Sequence, residues 1–195
     1  MEQMDGTDVT ACERCEELVE SRSRIVNGTG PADADLLFVG EAPGAQEDKQ
    51  GDPFVGRSGD VLDEALRAAG LDRGDVRITN CVRCRPPDNR DPRSEELDNC
   101  RPYLEREIDL VDPELIVTLG KVPAQHLLGR DVGVTGEAGD VFDPDVAGQR
   151  RQLLVCVHPA ATLYDPGQKD TFVDAIVAAA EYTDEGSGQR RLGDF

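Results

Sequence analysis

The sequence predicts an α/β protein, a three-layer α/β/α fold whose central sheet has four parallel strands. Four short apolar runs, the helical periodicity of the segments between them, and a length suited to one hydrophobic core carry that prediction. The 195 residues, 38% of them hydrophobic, suffice for one domain with a sizeable interior. We place that domain over residues 1–182 and read residues 183–195 as a flexible tail.

Each element has a local reason. Asp35-Leu36-Leu37-Phe38-Val39-Gly40, Val76-Arg77-Ile78-Thr79-Asn80, Leu115-Ile116-Val117-Thr118-Leu119-Gly120 and Leu153-Leu154-Val155-Cys156-Val157-His158 read as strands buried on both faces. Between the first and second, Val61, Leu62, Ala65, Leu66 and Ala69 share a helical face, and Gly70 is placed to cap its C-terminus. Between the second and third, Asp91 can cap and Pro92 can start a helix that carries Leu97, Cys100, Leu104 and Ile108 on one side. A last helix spans Gln168 to Tyr182, with Phe172, Ile176 and Ala179 inward, and Thr183-Asp184-Glu185-Gly186-Ser187-Gly188 has the composition of a linker. Repeated strand, helix, strand alternation implies a parallel sheet covered by helices.

The charge balance is extreme: 40 Asp and Glu against 21 Lys and Arg, a net charge of −19 and a pI near 4.4. At low salt this argues against a polyanionic partner. The acids are spread through segments that read as folded, and lysine is confined to Lys49, Lys121 and Lys169, the pattern of a halophile's acidic surface. At molar salt the Debye length is about 3 Å, so general repulsion is screened and close contacts decide binding. The alternative is a mesophilic protein with an acidic or cationic partner. Met1 to Thr10 lacks a basic patch and an apolar core, and no later stretch approaches the roughly 20 apolar residues of a membrane span. We therefore expect a soluble, cytoplasmic monomer.

Ligands of a doubly wound sheet bind beyond the carboxyl ends of the strands, where the loops converge. The first strand is followed by Gly40-Glu41-Ala42-Pro43-Gly44, the second ends at Asn80, and the fourth runs into His158-Pro159-Ala160-Ala161. Glycines, a carboxylate, an amide and an imidazole therefore meet at one edge. Each also has an ordinary reading as a turn or capping residue.

Gly40-Glu41-Ala42-Pro43-Gly44-Ala45-Gln46-Glu47-Asp48, continuing through Gly51-Asp52-Pro53-Phe54-Val55-Gly56, resembles the first active-site motif of the family 4 uracil-DNA glycosylases. Thr79-Asn80, Cys84-Arg85-Pro86-Pro87-Asp88-Asn89-Arg90 and His158-Pro159-Ala160 follow in that family's order and spacing, so the resemblance covers residues 12–180. It implies a DNA repair enzyme that flips uracil out of the duplex, hydrolyses its N-glycosidic bond and leaves an abasic site. Flipping costs a few kcal/mol of unstacking. The resemblance assigns Phe54 to offset part of that by stacking on uracil, at about 1–3 kcal/mol per base. Asn80 would read the base, because its donor and acceptor match O4 and N3–H of uracil and mismatch cytosine. His158 would donate to uracil O2, where leaving-group charge accumulates. Gly40 and Gly44 would shape the substrate loop, and Glu41, Glu47 and Asn89 join His158 as catalytic candidates. Glu41 and Glu47 can orient water, offset charge on the sugar or simply fix the loop. Glu47 can also form the pocket wall facing C5 of uracil, which excludes the thymine methyl, and Asn89 matches a position implicated in placing water or substrate. Structural roles stay open beside these: Phe54 as a loop anchor, Asn80 as a loop hydrogen-bonder and His158 as a core imidazole.

Six cysteines argue for a metal site over disulfides. By spacing alone, Cys12-x-x-Cys15 and Cys81-x-x-Cys84 make a pair of knuckles, which leaves zinc and iron-sulfur level. The family pattern instead selects Cys12, Cys15, Cys84 and Cys100 as ligands of a 4Fe-4S cluster, structural in role because glycosidic hydrolysis transfers no electrons. Cys81 then departs from the family's usual small or branched residue, and Cys156 is a buried strand residue. Tyr164 and Thr135-Gly136-Glu137 stand where the family often has arginine. That departure puts in doubt how the loop His158 to Pro166 grips phosphate, although the loop can still wedge into the duplex. Arg83, Arg85, Arg90 and Arg93 gather near the other rim.

Gln189-Arg190-Arg191-Leu192-Gly193-Asp194-Phe195 resembles the peptide by which DNA repair enzymes dock onto a sliding clamp, with Gln189, Leu192 and Phe195 at the expected spacing. Two other functions stay open: a metal-bearing DNA-binding adaptor without catalysis, and a related glycosylase preferring other deaminated bases. The set Glu41, Phe54, Asn80 and His158 argues against the first.

Overall fold

The computed structural model describes residues 3–190, and for Gln3 and residues 184–190 only the backbone. An antiparallel hairpin of β1 (Gln3–Asp5) and β2 (Asp8–Ala11) leads through the short helix α1 (Glu16–Ser21) to β3 (Leu36–Gly40). After β3 come α2 (Ala45–Gln50), α3 (Arg57–Ala68) and β4 (Arg77–Asn80). The long helix α4 (Ser94–Val111), β5 (Leu115–Leu119) and α5 (Lys121–Leu128) follow. The remainder is β6 (Val141–Phe142), a hairpin of β7 (Asp145–Val146) and β8 (Gln149–Arg150), β9 (Leu153–Cys156), α6 (Ala161–Tyr164) and α7 (Gln168–Arg190).

The main sheet has the order β4-β3-β5-β9-β6. The expected strands are the parallel ones, β4, β3, β5 and β9, and every residue in them is buried. Within β3 the side chains split by alternation, as the strand period requires. Leu36 and Phe38 join a core made with Leu62 and Leu66 of α3 and Phe172 and Ile176 of α7. Leu37 and Val39 join another, made with Leu104 and Ile108 of α4 and Leu127 of α5. Helices thus cover both faces, giving the three layers.

Three expectations need correction. The sheet has a fifth strand, β6, antiparallel to β9, and it has only two residues flanked by Asp140 and Asp143, too short to leave a periodic signal. Helix α4 starts at Ser94, not at Pro92: the backbone amide of Arg93 donates to the Glu96 carboxylate at 2.8 Å, and that side chain rather than Asp91 satisfies the helix start. Helix α7 runs on to Arg190 instead of ending at Tyr182. No proline interrupts it, and its backbone stays helical through the segment read as a linker. Leu192 and Phe195 of the clamp-like peptide lie outside the described residues, and of Gln189 only the helical backbone is described. The expected cap at Gly70 is present: it has φ +78°, the Leu71 amide reaches the Leu66 carbonyl and the Gly70 amide the Arg67 carbonyl, a Schellman closure.

Candidate active site

The parallel pairing of β3 and β4 sets Gly40 opposite Asn80 at the carboxyl edge of the sheet. Pairing continues past the strands, with the Cys81 amide donating to the Gly40 carbonyl at 2.9 Å and the Val82 amide to the Glu41 carbonyl at 3.0 Å. A Cβ at Gly40 would lie 2.4 Å from Oδ1 of Asn80 and 2.6 Å from the Phe54 ring, so only glycine lets those groups approach. The Phe54 ring in turn faces His158, with centroids 5.9 Å apart and planes tilted by 33°. Behind His158 stands Gly120, whose φ of +105° and lack of a side chain admit the imidazole, since a Cβ there would be 3.1 Å from Cβ of His158. Three strand ends and one loop therefore bring Gly40, Phe54, Asn80 and His158 together.

Protonation follows from the surroundings. Burial pushes the His158 pKa down to about 4, against a weaker opposing pull from Glu47, so the ring is neutral at pH 7. Nδ1 accepts a hydrogen bond from the Ala160 amide at 3.1 Å, which puts the single ring proton on Nε2. Glu41 shifts the other way: burial, with the Asp91 carboxylate adding to it, raises its pKa to about 7. Glu47 is buried and accepts from the Val55 and Gly56 amides at 3.1 Å each, so one of its oxygens fixes the loop that carries Phe54. Its other oxygen turns to Gly44, where a Cβ would approach to 2.8 Å. Asn89 is exposed, has φ +54° and accepts from Nε of Arg85 at 2.7 Å, so its amide oxygen is directed to that arginine.

The cysteines separate cleanly. Cys12, Cys15, Cys84 and Cys100 line one pocket with Leu18, Val82 and Arg22. Cys81 is buried against the α4 and α5 core and does not line it, and Cys156 is buried in the opposite core. Arg22 donates from Nη1 to Sγ of Cys84 at 2.9 Å and from Nη2 to the Cys12 carbonyl at 2.7 Å. Burial raises the thiol pKa values of Cys15, Cys84 and Cys100, that of Cys100 to about 12. Among the described residues no three Cys, His, Asp or Glu side chains converge as ligands of a single ion. Ala42 of the first motif packs against this cysteine group, which joins the two sites.

Several residues that hold the site escaped sequence reasoning. Buried Asp48 receives the Ser23 amide at 2.8 and 3.0 Å and ties the segment before β3 to α2. Glu107, fully buried on α4, accepts from Nε of Arg77 at 2.8 Å and Nη2 of Arg83 at 2.7 Å. Arg83 is therefore a core residue and leaves the expected basic rim. Arg90 and Arg93 are engaged too, Arg90 by Glu96 at 2.6 Å and Arg93 by Glu17 at 2.5 Å. The partners lie far apart in the chain and no periodicity announces them. Only Glu47 lay within a motif that marked it.

Residues 27–181 match the uracil DNA glycosylase superfamily. A type-4 uracil-DNA glycosylase of Archaeoglobus fulgidus is 38% identical over 88% of this chain and 89% of its own length. The type-4 enzyme of Pyrobaculum aerophilum is 42% identical over 83% and 84%, and that of Sulfurisphaera tokodaii 40% over 82% and 74%. The chain belongs to the uracil DNA glycosylase superfamily, within its type-4 uracil-DNA glycosylases.

Proposed function

We propose that the protein hydrolyses the N-glycosidic bond of uracil in DNA, leaving an abasic site. The convergence of Phe54 and Asn80 on Gly40, with the neutral His158 facing the Phe54 ring, carries this reading. A flipped uracil stacks on Phe54 and is read by the amide of Asn80 along O4 and N3–H. As the bond from C1′ to N1 breaks, its electron pair stays with the base, and Nε2–H of His158 donates to O2, where that charge collects. Water supplies the new oxygen on C1′ and gives up a proton. Glu41, titrating near 7, suits the handling of that proton or the balance of charge on the sugar. Glu47 acts chiefly as the loop's clasp. Excision from an oligonucleotide with one uracil, at about molar salt and developed with alkali, tests the reading. Cleavage at uracil alone, lost in Asn80→Ala and His158→Ala, is the expected result, and silence from folded protein would point to the adaptor.

The same reading gives Cys12, Cys15, Cys84 and Cys100 a 4Fe-4S cluster. The four thiols line one pocket, and the type-4 relatives support a cluster there over a single zinc. Bound there, the cluster would tie the segment after the β1–β2 hairpin to the loop after β4, without electron transfer. Brown protein absorbing near about 400 nm, with iron and sulfide, is expected, and stoichiometric zinc would overturn it. The acidic composition supports a halophilic, cytoplasmic enzyme, and the described residues include no helix long and apolar enough to cross a membrane. The spacing of Gln189, Leu192 and Phe195 supports docking on a sliding clamp. Clamp binding unchanged on deleting residues 189–195 would end that idea.

A further inference from the structure

Phe54 has φ +54°, in the left-handed region that bulky L-residues rarely adopt. That backbone turn sends its ring toward Gly40 and His158, and it must be held from outside the loop. Glu47 clasps the amides that follow Phe54, and the group that holds the carbonyls of Pro53 and Phe54 is Arg73, in the turn after α3. Its Nη1 donates to the Pro53 carbonyl at 3.0 Å, its Nη2 donates to the Phe54 carbonyl, and its Nε donates to Asp63 of α3 at 2.6 Å. The Phe54 carbonyl also lies against Gly59, where a Cβ would come within 1.8 Å of its oxygen. The turn carrying Arg73 is itself fixed, with the Gly74 amide donating to Asp72 at 2.6 Å and the Asp72 amide to Asp75 at 2.8 Å.

We propose that Arg73 is a positioning residue for base excision: its guanidinium, oriented by Asp63, holds the Pro53 and Phe54 carbonyls so that the Phe54 ring meets the flipped base. The proposal rests on the reading of Phe54 as the stacking side chain. Arg73 and Asp63 are each about a third exposed, at 32% and 33%, so their ion pair contributes little to global stability. The bonds to two consecutive carbonyls instead select one conformation of a strained loop. Lysine cannot replace the planar fork that spans them.

A double-mutant cycle tests this, read as the single-turnover excision rate at saturating enzyme, with urea unfolding alongside. Arg73→Gln is expected to slow excision about tenfold, with Arg73→Lys between it and the wild type, and to leave the urea midpoint close to the wild-type value. In the Phe54→Ala background the same change is expected to cost less than about twofold more. A wild-type rate for Arg73→Gln, or an undiminished tenfold loss in the Phe54→Ala background, would overturn the proposal. If Arg73→Gln does not fold, Asp63→Asn carries the cycle with the same expectations. A wild-type rate for Phe54→Ala alone would sink the stacking reading itself, an outcome separate from a failure of Arg73.

Discussion

Burial moves two titratable side chains at the sheet edge in opposite directions, and both keep the site in one charge state only over part of the pH range. The folded protein retains the Glu41 proton up to about pH 7, so the stability this group contributes is full below the unfolded carboxyl value and is lost as pH rises through 7. His158 resists protonation down to about pH 4, so its contribution is full above the unfolded imidazole value and is lost as pH falls through 4. We predict that single-turnover excision rises with pH through a step near 7 that Glu41→Gln abolishes. No imidazole limb is expected between about pH 5 and 7, because the Nε2–H tautomer persists throughout that interval. A step that survives Glu41→Gln would assign it elsewhere. A second prediction concerns Gly40. Its missing Cβ is the space that the Asn80 amide and Phe54 ring occupy, and neither can retreat without leaving the base site. Gly40→Ala should slow excision about 100-fold, since misplacement by an ångström reaches that size, while the content of the proposed cluster stays at the wild-type level.

At the scale of elements, a charged knot joins the buried Val9 in holding the N-terminal hairpin. Glu107 of α4 binds Arg77 and Arg83, and these arginines reach the Gly30 carbonyl, the hydroxyl and carbonyl of Thr7 and the Asn27 amide oxygen. Gly28 leaves room for the carboxylate, because a Cβ there would meet Oε1 of Glu107 at 2.1 Å. Breaking a buried pair leaves the partner charges uncompensated, so Glu107→Ala should cost about 3–5 kcal/mol in urea unfolding. With the proposed cluster bound, its loss to a chelator should quicken in the same variant, since Cys12 directly follows the hairpin. This knot was invisible in the sequence, where Arg77 and Thr79 only interrupted an apolar run. By contrast, β3, β5 and β9 were legible because each is a run of apolar residues, and α3 because its apolar face and Gly70 agree. The start of α4 was misplaced because Asp91 and Pro92 are good starting residues in general, and only the structure shows Glu96 reaching back to Arg93. In the site, Phe54, Asn80 and His158 were legible through strand ends and motif order. Arg73 was not, since the carbonyls it binds belong to backbone and leave no side-chain signature.

Over the whole molecule, a net charge of −19 meets a substrate that is itself a polyanion. An ordinary DNA-binding protein gains affinity by releasing counterions as its cations neutralise phosphates, and one with 6–10 such contacts loses roughly 10³–10⁵ in affinity between about 50 and 200 mM salt. Here much of the arginine complement serves the fold: Arg83 is buried on Glu107, Arg90 and Arg93 hold Glu96 and Glu17, and Arg151 holds Asp109 and Asp112. Few phosphates can then be neutralised, so counterion release is small, while screening of the general repulsion works in the opposite sense. The same screening relieves repulsion among the acidic groups of the folded chain. Affinity for a uracil oligonucleotide should therefore change by less than about tenfold, or rise, between about 0.2 and 2 M salt, and the urea midpoint should rise over that interval. Fluorescence anisotropy of a labelled oligonucleotide, paired with unfolding curves at each salt concentration, measures both. Steep loss of affinity, with the fold intact throughout, would mean that a basic DNA-binding face exists despite the acidic surface and would remove the case for a halophilic enzyme.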